Sequence, residues 1–482
     1  MSYDVIPVVR ELSADTLTPL VAFSALAAAG EEAFLFESVE RGENLGRYSF
    51  VGFEPRRSLA IDVTVADPVK LLNEELVPLR VEGEEKLPPF FGGAVGWFGY
   101  DVAGWSERIP DAHPNDLGAP GAKLLFFDNV VVFDHVQQRL YIVANVFRSA
   151  GVSPAGPAPS RRPGGGEDAA VPLEAQARLD RAVEKLRHAS VDALEFPQNA
   201  PMAAFESSHT RESFESMVRT AKEEIAAGEI FQIVLSQRWV TDYPTSEAVT
   251  LYRALRSINP SPYMFLMRTS ELTLVGASPE MLVRVTGRHV ETRPIAGTRP
   301  RGATREEDLE HERSLLADPK ENAEHLMLVD LGRNDVGRVA ASGSVAVTDY
   351  CHIERYSHVM HLVTDVEATL RDDCTPVDAF LSCFPAGTVS GAPKIRAMEL
   401  IDRFENTRRG PYAGAVAYFA FNGNLDSCIT IRTITLANDR AYVQAGAGIV
   451  YDSDPATEYV ETENKSAALR RAISVAKALI AR

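Results

Sequence analysis

The chain has 482 residues, 45% of them hydrophobic and 24% charged, and carries a net charge of −18 from 49 basic and 67 acidic side chains. That length buries a large core and suits two to four domains, and the acidic balance speaks against a DNA or RNA partner. No apolar run is long enough to span a bilayer and the opening MSYDVIPVVREL lacks the marks of a signal peptide, so a cytoplasmic location without a membrane partner is expected.

Taken in chain order, FLFESVE (Phe34–Glu40) reads as a buried strand, and KLLFFDNVVVFDH and RLYIVANVF read as antiparallel strands with tight turns. GVSPAGPAPSRRPGGGEDAA (Gly151–Ala170) is rich in Pro, Gly and small residues and reads as a surface insertion or linker. TRESFESMVRTAKEEIAAGEIFQIVLSQRW reads as a helix and then a strand. Phe214, Met217, Val218, Ala221 and Ile225 share one helical face, and Gly228 closes it. NPSPYMFLM (Asn259–Met267) begins with a proline-fixed turn. Late in the chain YAGAVAYFAF, SCITIRTITL and AYVQAGAGIVY are three strand candidates with short connections, and an amphipathic helix closes the sequence. No strand opens into a Gly-rich dinucleotide or phosphate loop. The expected fold is α+β, with large antiparallel sheets in a sandwich flanked by helices. It divides into an N-terminal part, residues 1–200, and a second part, residues 201–482. The four cysteines, Cys351, Cys374, Cys383 and Cys428, have no metal-ligand spacing and are expected as free thiols.

Several segments carry residue types suited to chemistry. PIAGTRPRG (Pro294–Gly302) combines two glycines with two arginines whose forks match carboxylates, around an inert Ala296. In DPKENAEHLMLVDLGRNDVGRV, Asp318 fits an N-cap and Pro319 the first helical position. Glu321 and Glu324 then share a helix face. Two readings stand side by side: a capping box with a solvated neighbour, or the start of a hard-cation site, where Mg²⁺ prefers oxygen ligands. Glu458 and Glu461 repeat the same spacing ahead of Glu463 and Lys465, which favours two acidic pairs facing each other across a metal. FPAGTVSGAPKIRAMELI places Gly387, Thr388, Ser390 and Gly391 before a helix with Ile395, Met398 and Ile401 on its inner face. This is an anion site in principle, and equally a plain helix start. Arg432 sits inside a strand-like run and needs a partner, either a glutamate or a ligand carboxylate. Tyr412, Gly446 and Gly448 lie near the same strand ends. His361 is a core histidine on base rates and a candidate proton carrier by its pKa.

In order, PIAGTRPRG, ENAEHLMLVDLGRNDVGRV, FPAGTVSGAPKIRAMELI, YAGAVAYF, CITIRT and AGAGIVYDSDPATEYVETENK resemble the motifs of the chorismate-binding enzymes, and most closely the large (component I) subunits of anthranilate synthase. The resemblance covers Phe205 to the C-terminus and extends more thinly over the N-terminal part. It implies Mg²⁺ held by Glu324 and Glu461, with Glu321 and Glu458 in support. It implies that Lys465 and backbone groups at Gly297, Thr298, Gly446, Ala447 and Gly448 hold the ring carboxylate of chorismate. Arg432 and Tyr412 would hold the enolpyruvyl carboxylate, with Thr388 and His361 beside the ring and Glu280 as general acid for the departing C4 hydroxyl. Ala296 stands where a sister group carries a covalent lysine, and Gln232 where water-using relatives carry an activating lysine. Both positions imply ammonia as nucleophile.

The resemblance further implies a glutamine amidotransferase partner supplying ammonia, hence a hetero-oligomer, and a tryptophan feedback site built from Ser38, Pro262, Tyr263 and Met264. A large subunit of aminodeoxychorismate synthase is the nearest alternative, and Ala296 counts against it. A non-catalytic tryptophan-sensing protein would have no need of Glu324, Glu461, Arg432, Tyr412 and Lys465 together. A metal-dependent phosphotransferase would need a phosphate loop.

Overall fold

Alternation along single strands decides the layering. In Tyr263–Arg268, Met264 and Leu266 join one apolar cluster while Phe265 and Met267 join another. In Gly93–Phe98, Ala94 and Phe98 face one way and Val95 and Trp97 the other. Successive side chains on a strand point to opposite faces, so both strands are covered on both faces. One cluster joins Phe34, Phe265 and Leu274 from one sheet to Trp97, Phe127 and Tyr418 from a second. It is the filling of a sandwich.

The computed structural model describes residues 3–38, 46–111, 113–148, 167–197, 199–355 and 359–481, with side chains from 173 onward in the helix that begins at 167. The first sheet has 12 strands and the second 10. Among the described residues every pair of named strands is antiparallel. The first sheet runs Val5–Ser13, Arg139–Phe147, Asn129–Asp134, Tyr48–Gly52, Ala33–Glu37, Tyr263–Arg268, Thr273–Ser278, Thr433–Ala437, Arg440–Ile449, Gln232–Asp242 and Gly391–Ala392, with Glu206–Ser207 beside Gln232–Asp242. The second runs Ile295–Pro300, Val359–Thr369, His289–Thr292, Met281–Thr286, Leu425–Ile429, Ala415–Ala420, Gly93–Phe98, Ala122–Phe127 and Arg57–Ile61, with Ala346–Arg355 beside Val359–Thr369. Both sheets draw strands from either side of residue 200: Ala33–Glu37 pairs with Tyr263–Arg268, and Gly93–Phe98 with Ala415–Ala420.

Two runs that look continuous in the sequence change sheets midway. KLLFFDNVVVFDH leaves the second sheet at Phe127 and enters the first at Asn129. SCITIRTITL likewise divides into Leu425–Ile429 in the second sheet and Thr433–Ala437 in the first. The three expected late strands are therefore four. Arg432 is not inside a strand at all: it lies in the crossing, at φ +51°, with its carbonyl accepting from Ala277 N at 3.0 Å. Strands buried on both faces have no alternation to lose, so the change of sheet leaves no mark in the periodicity, although Asp128–Asn129 interrupts the first run.

Helices cover the outer faces. Arg211–Ala226 buries Phe214, Met217, Val218 and Ala221, with Ile225 at the margin, against Gln232–Asp242 and Arg440–Ile449 of the first sheet, and Gly228 at φ +82° follows its end. Pro455–Ile480 buries Leu469, Ala472, Ile473 and Ala476 against the first. The stretch Gly151–Ala170 lies outside the described residues up to 166, and from Glu167 the chain forms the helix Glu167–Arg187. All four cysteines are free. Among the described residues no helix is long and apolar enough to cross a membrane.

Candidate active site

Two helix starts bring the acidic pairs together. Asp318 caps Pro319–Gly337, its Oδ1 accepting from Lys320 N at 3.0 Å and Glu321 N at 3.3 Å. Glu321 does not reach back to complete a capping box. Its Oε1 accepts from Arg299 Nη1 at 3.1 Å, and Arg299 Nη2 holds Asp318 at 2.8 Å. Asp454 caps Pro455–Ile480, which carries Glu458, Glu461 and Lys465. Burial first, and then the like charges of Glu321 and Glu461, hold the Glu324 carboxyl above its ordinary range. Glu458, only 7% exposed, is raised by burial and by Glu461, against a hydrogen bond from Ser453. Lys465 Nζ meets Glu461 Oε1 at 2.6 Å.

This is an oxygen-only cluster of mutually repelling carboxylates, a donor set that fits a hard divalent cation such as Mg²⁺. Arg299 and Lys465 draw Glu321 and Glu461 toward themselves, and these oxygens do not converge as tightly as another group. Among the described residues, Asp349, His352 and Asp365 alone bring three ligand atoms within 4.8 Å of one another. There Arg293 Nε already lies 2.6 Å from Asp365, which makes a second cation costly.

The facing wall comes from late strand ends. Lys465 Nζ donates to the Gly446 carbonyl at 3.1 Å, and the Arg432 guanidinium donates to the Lys465 carbonyl. Burial lowers the Arg432 pKa, while Tyr412 and Glu461 oppose that shift; Tyr412 is itself pushed up to about 12 by burial. A methyl on Gly446 would stand 2.9 Å from the Tyr412 hydroxyl, and one on Gly448 would stand 2.8 Å from Gln232 Nε2. Glycine at these two positions is what lets the side chains close on the strand. Ala447 faces the apolar core and is fully buried, so it offers only its backbone. Gln232 is 4% exposed, reaches Glu324 Oε1 with Nε2 at 3.5 Å, and has no partner for Oε1 among the described residues.

PIAGTRPRG forms a strand with a bulge, not an open cradle. Ala296 pairs with Leu362 and Thr298 with His361, so Gly297 is the extra residue, at φ +62°. A Cβ there would meet Glu321 Oε2 at 3.1 Å. Both arginines of the segment are committed within the chain: Arg299 to Glu321 and Asp318, and Arg301 by a fork to Asp308. Arg301 and the Gly302 N–H hold Asp308 down at about 2. His361 Nδ1 lies 2.9 Å from the Gly297 carbonyl and 3.1 Å from Thr298 Oγ1. A carbonyl only accepts, so Nδ1 carries the proton in that pair and Nε2 is the basic nitrogen. Burial keeps the ring below its ordinary pKa.

Thr388 sits in the turn Gly387–Val389 and donates to Glu280 Oε1 at 2.8 Å. Burial raises Glu280 to about 7, against the opposing pull of Thr388 and Lys465. The helix that follows begins at Lys394 without a side-chain cap and buries Ala397, Met398, Leu400 and Ile401. Ile395, expected on the inner face, is 43% exposed because, at about 100° of helix rotation per residue, it points well away from the centre of that stripe.

A separate cavity of about 330 Å³ contains Ser38, Pro262, Tyr263 and Met264 on its wall, with Phe50, Arg284 and Asp426. Ser38 Oγ is buried with no partner among the described residues. The Tyr263 hydroxyl is engaged with Asp426 and Arg284, at 3.2 Å each. Arg284 and Asp426 carry no sequence signal, being ordinary alternating strand residues. Glu405 and Arg409 were also missed. Glu405 caps the helix Lys394–Phe404 and Arg409 lies four residues on, in a charged stretch with no apolar pattern, yet they are buried at 3% and 2% of side-chain exposure.

The chorismate binding enzyme family model matches residues 31–471. Anthranilate synthase component 1 of Acetivibrio thermocellus is 44% identical, covering 98% of this chain and 96% of that relative. That of Thermus thermophilus is 45% identical over 98% of each chain. Among solved structures, anthranilate synthase component I from Streptococcus pneumoniae superposes with a TM-score of 0.76 at 35% identity, over 95% of this chain and 98% of that one. A menaquinone-specific isochorismate synthase from Escherichia coli shares the fold, with a TM-score of 0.70 at 18% identity over 98% and 96% of the two chains. The chain belongs to the chorismate-binding enzyme family, alongside the anthranilate synthase component 1 chains.

Proposed function

We propose that this protein is the aminating subunit of an anthranilate synthase, converting chorismate and ammonia to anthranilate and pyruvate in the first step of tryptophan biosynthesis. Family membership and relatives named anthranilate synthase component 1 support the reaction. The observation that carries it is a single site where glutamates from two helices meet Arg432, Tyr412 and Lys465. Such a site suits a substrate with two carboxylates, one taken by a cation and one by a guanidinium.

Bound Mg²⁺, held by Glu324 and Glu461 with Glu321 and Glu458 behind them, would supply positive charge for the ring carboxylate. Lys465 and the backbone at Gly297, Thr298 and Gly446 to Gly448 help to orient that group, and Arg432 and Tyr412 hold the enolpyruvyl carboxylate. Glu280 is half protonated near pH 7 and gives its proton to the C4 hydroxyl as ammonia adds at C2. Thr388 orients that carboxyl. His361, neutral through its lowered pKa, accepts the C2 proton at Nε2 as pyruvate leaves. Gln232 Oε1 accepts a hydrogen bond from the entering ammonia. Ala296, 8% exposed, puts no amine in competition with it.

Ammonia would come from a glutamine amidotransferase subunit, in keeping with the "component 1" name of the relatives. Phe231 at 71% exposure and Val460 at 44%, neighbours in sequence of Gln232 and Glu461, leave apolar surface beside the site for such a partner. Tryptophan would occupy the second cavity, whose aromatic wall and Ser38 hydroxyl, without a partner among the described residues, suit an indole amino acid. The test is product identity from chorismate, Mg²⁺ and ammonium. Anthranilate and pyruvate are expected in equal amounts. An aminated product that keeps its enolpyruvyl group would instead favour the aminodeoxychorismate reaction.

A further inference from the structure

We propose that Arg409 is a positioning residue for this reaction, locking Tyr412, Thr388 and the strand of Gln232 into one frame; the proposal rests on the functional reading just given. Arg409 is 3% exposed and Glu405 4%. The guanidinium forks onto Glu405, with Nε 2.8 Å from Oε2 and Nη2 2.6 Å from Oε1. Its other N–H groups reach two backbone carbonyls from separate segments. Nη1 donates to Val389 at 2.7 Å and Nη2 to Val234 at 2.7 Å. Its Cζ lies 4.6 Å from the Tyr100 ring centroid and 5.6 Å from that of Tyr412. Glu405 Oε1 accepts in turn from Ser236 N at 2.8 Å and Ser236 Oγ at 2.7 Å.

Each of these contacts ends beside a group of the site. Val389 follows Thr388 in the turn Gly387–Val389. Val234 lies two residues along the strand from Gln232, and Ser236 pairs with Gly446. Tyr412 receives the guanidinium on its ring face. A fully buried ion pair is expensive to desolvate, and apolar residues of similar size often serve stability as well. What they cannot do is hold a carbonyl from the Thr388 turn and a carbonyl from the Gln232 strand at fixed separation. Lysine cannot do it either, because its ammonium is a single point on a flexible stem. Arg409 touches none of the reacting atoms assigned above, so its effect is on geometry.

Arg409→Lys keeps a charge for Glu405 and loses the span. With chorismate, Mg²⁺ and ammonium, kcat should fall about 10- to 100-fold and the chorismate KM should rise, with folded protein counted by circular dichroism. A purely structural role would lower the folded fraction and the apparent kcat but leave KM in place. The double variant Arg409→Met with Glu405→Gln leaves no lone buried charge, and it should fold and show the same paired defect. A wild-type protein that made no anthranilate would be a failure of the functional reading. With an active wild type, either folded variant keeping kcat and KM within about twofold would overturn the positioning role. So would failure of both variants to fold, since Arg409 would then be a structural residue.

Discussion

Glu280 and Thr388 show how one hydroxyl sets a proton's availability. Burial raises the Glu280 carboxyl to about 7, and the Thr388 hydroxyl, 2.8 Å away, pulls it down by favouring the carboxylate. The sign follows directly. As the proposed acid, Glu280 would donate below about 7 and lose that capacity as pH rises through it, so the rate at fixed free ammonia should show an alkaline limb there. Thr388→Val removes a lowering contribution, so the limb should move to higher pH while the maximal rate drops about tenfold. An unmoved limb would separate Glu280 from the proton step. The same shift costs stability as pH rises from the ordinary carboxylate range toward 7, because the folded state holds the proton longer than the unfolded one. For the metal, Glu461→Gln should raise the half-saturating Mg²⁺ concentration by about tenfold or more and weaken chorismate use with it. Unchanged Mg²⁺ dependence would remove Glu461 from the ion. The paired spacing of Glu321 with Glu324 and Glu458 with Glu461 was legible because helix periodicity puts such residues on one face. Arg299 and Arg301 were not legible. A guanidinium fork fits any carboxylate, and these two found Glu321, Asp318 and Asp308 inside the chain.

Among the elements, helix starts were the clearest. Asp318 with Pro319 states its own hydrogen bonds in the sequence. The bulge at Gly297 was half legible: the glycine advertises a left-handed backbone, but only the pairing with Leu362 and His361 tells where the extra residue falls. Gly297→Ala forces a side chain into φ +62° and against Leu315 and Glu321. It should cost about 1–2 kcal/mol in urea unfolding and raise the Mg²⁺ requirement, since Glu321 would shift. Wild-type stability with wild-type Mg²⁺ dependence would mean that the bulge does not set the position of Glu321. The sheet changes at Asp128 and at Thr430–Arg432 were illegible for the reason that hides Arg432 itself. Both flanks of each crossing are apolar, so Asp128–Asn129 reads as a turn within one sheet and Arg432 as a strand residue, and a non-glycine at φ +51° gives no compositional sign. Arg432 reaches the site because the chain turns there, not because a strand carries it.

At the scale of the molecule, interleaving of the chain's two parts across both sheets has a direct consequence. Residues 201–482 alone would leave Tyr263–Arg268 and Ala415–Ala420 without Ala33–Glu37 and Gly93–Phe98, exposing open edges lined with Phe265 and Tyr418. That fragment should show no cooperative thermal transition; a sharp transition with chorismate turnover would contradict the shared core. The same interleaving places the second cavity across the chain, with Ser38 from one part and Pro262 to Met264 from the other. Ser38→Ala should leave ammonia-dependent turnover in place and relieve inhibition by tryptophan, measured as the tryptophan concentration that halves the rate. Tryptophan and chorismate must then oppose each other's binding equally, by linkage. The sandwich was legible from its antiparallel strand runs, whereas sharing between the two parts was not, because strand pairing at long separation leaves no local pattern. The most direct measurement follows anthranilate fluorescence and pyruvate together, with chorismate and ammonium in excess, first with Mg²⁺ and then after its removal by EDTA. Both products should form at equal rates with Mg²⁺, stop with EDTA and resume when the ion is restored. Product formation indifferent to EDTA, or an aminated product without pyruvate, would contradict the assignment of Glu324, Glu461 and Arg432 to the two carboxylates of chorismate.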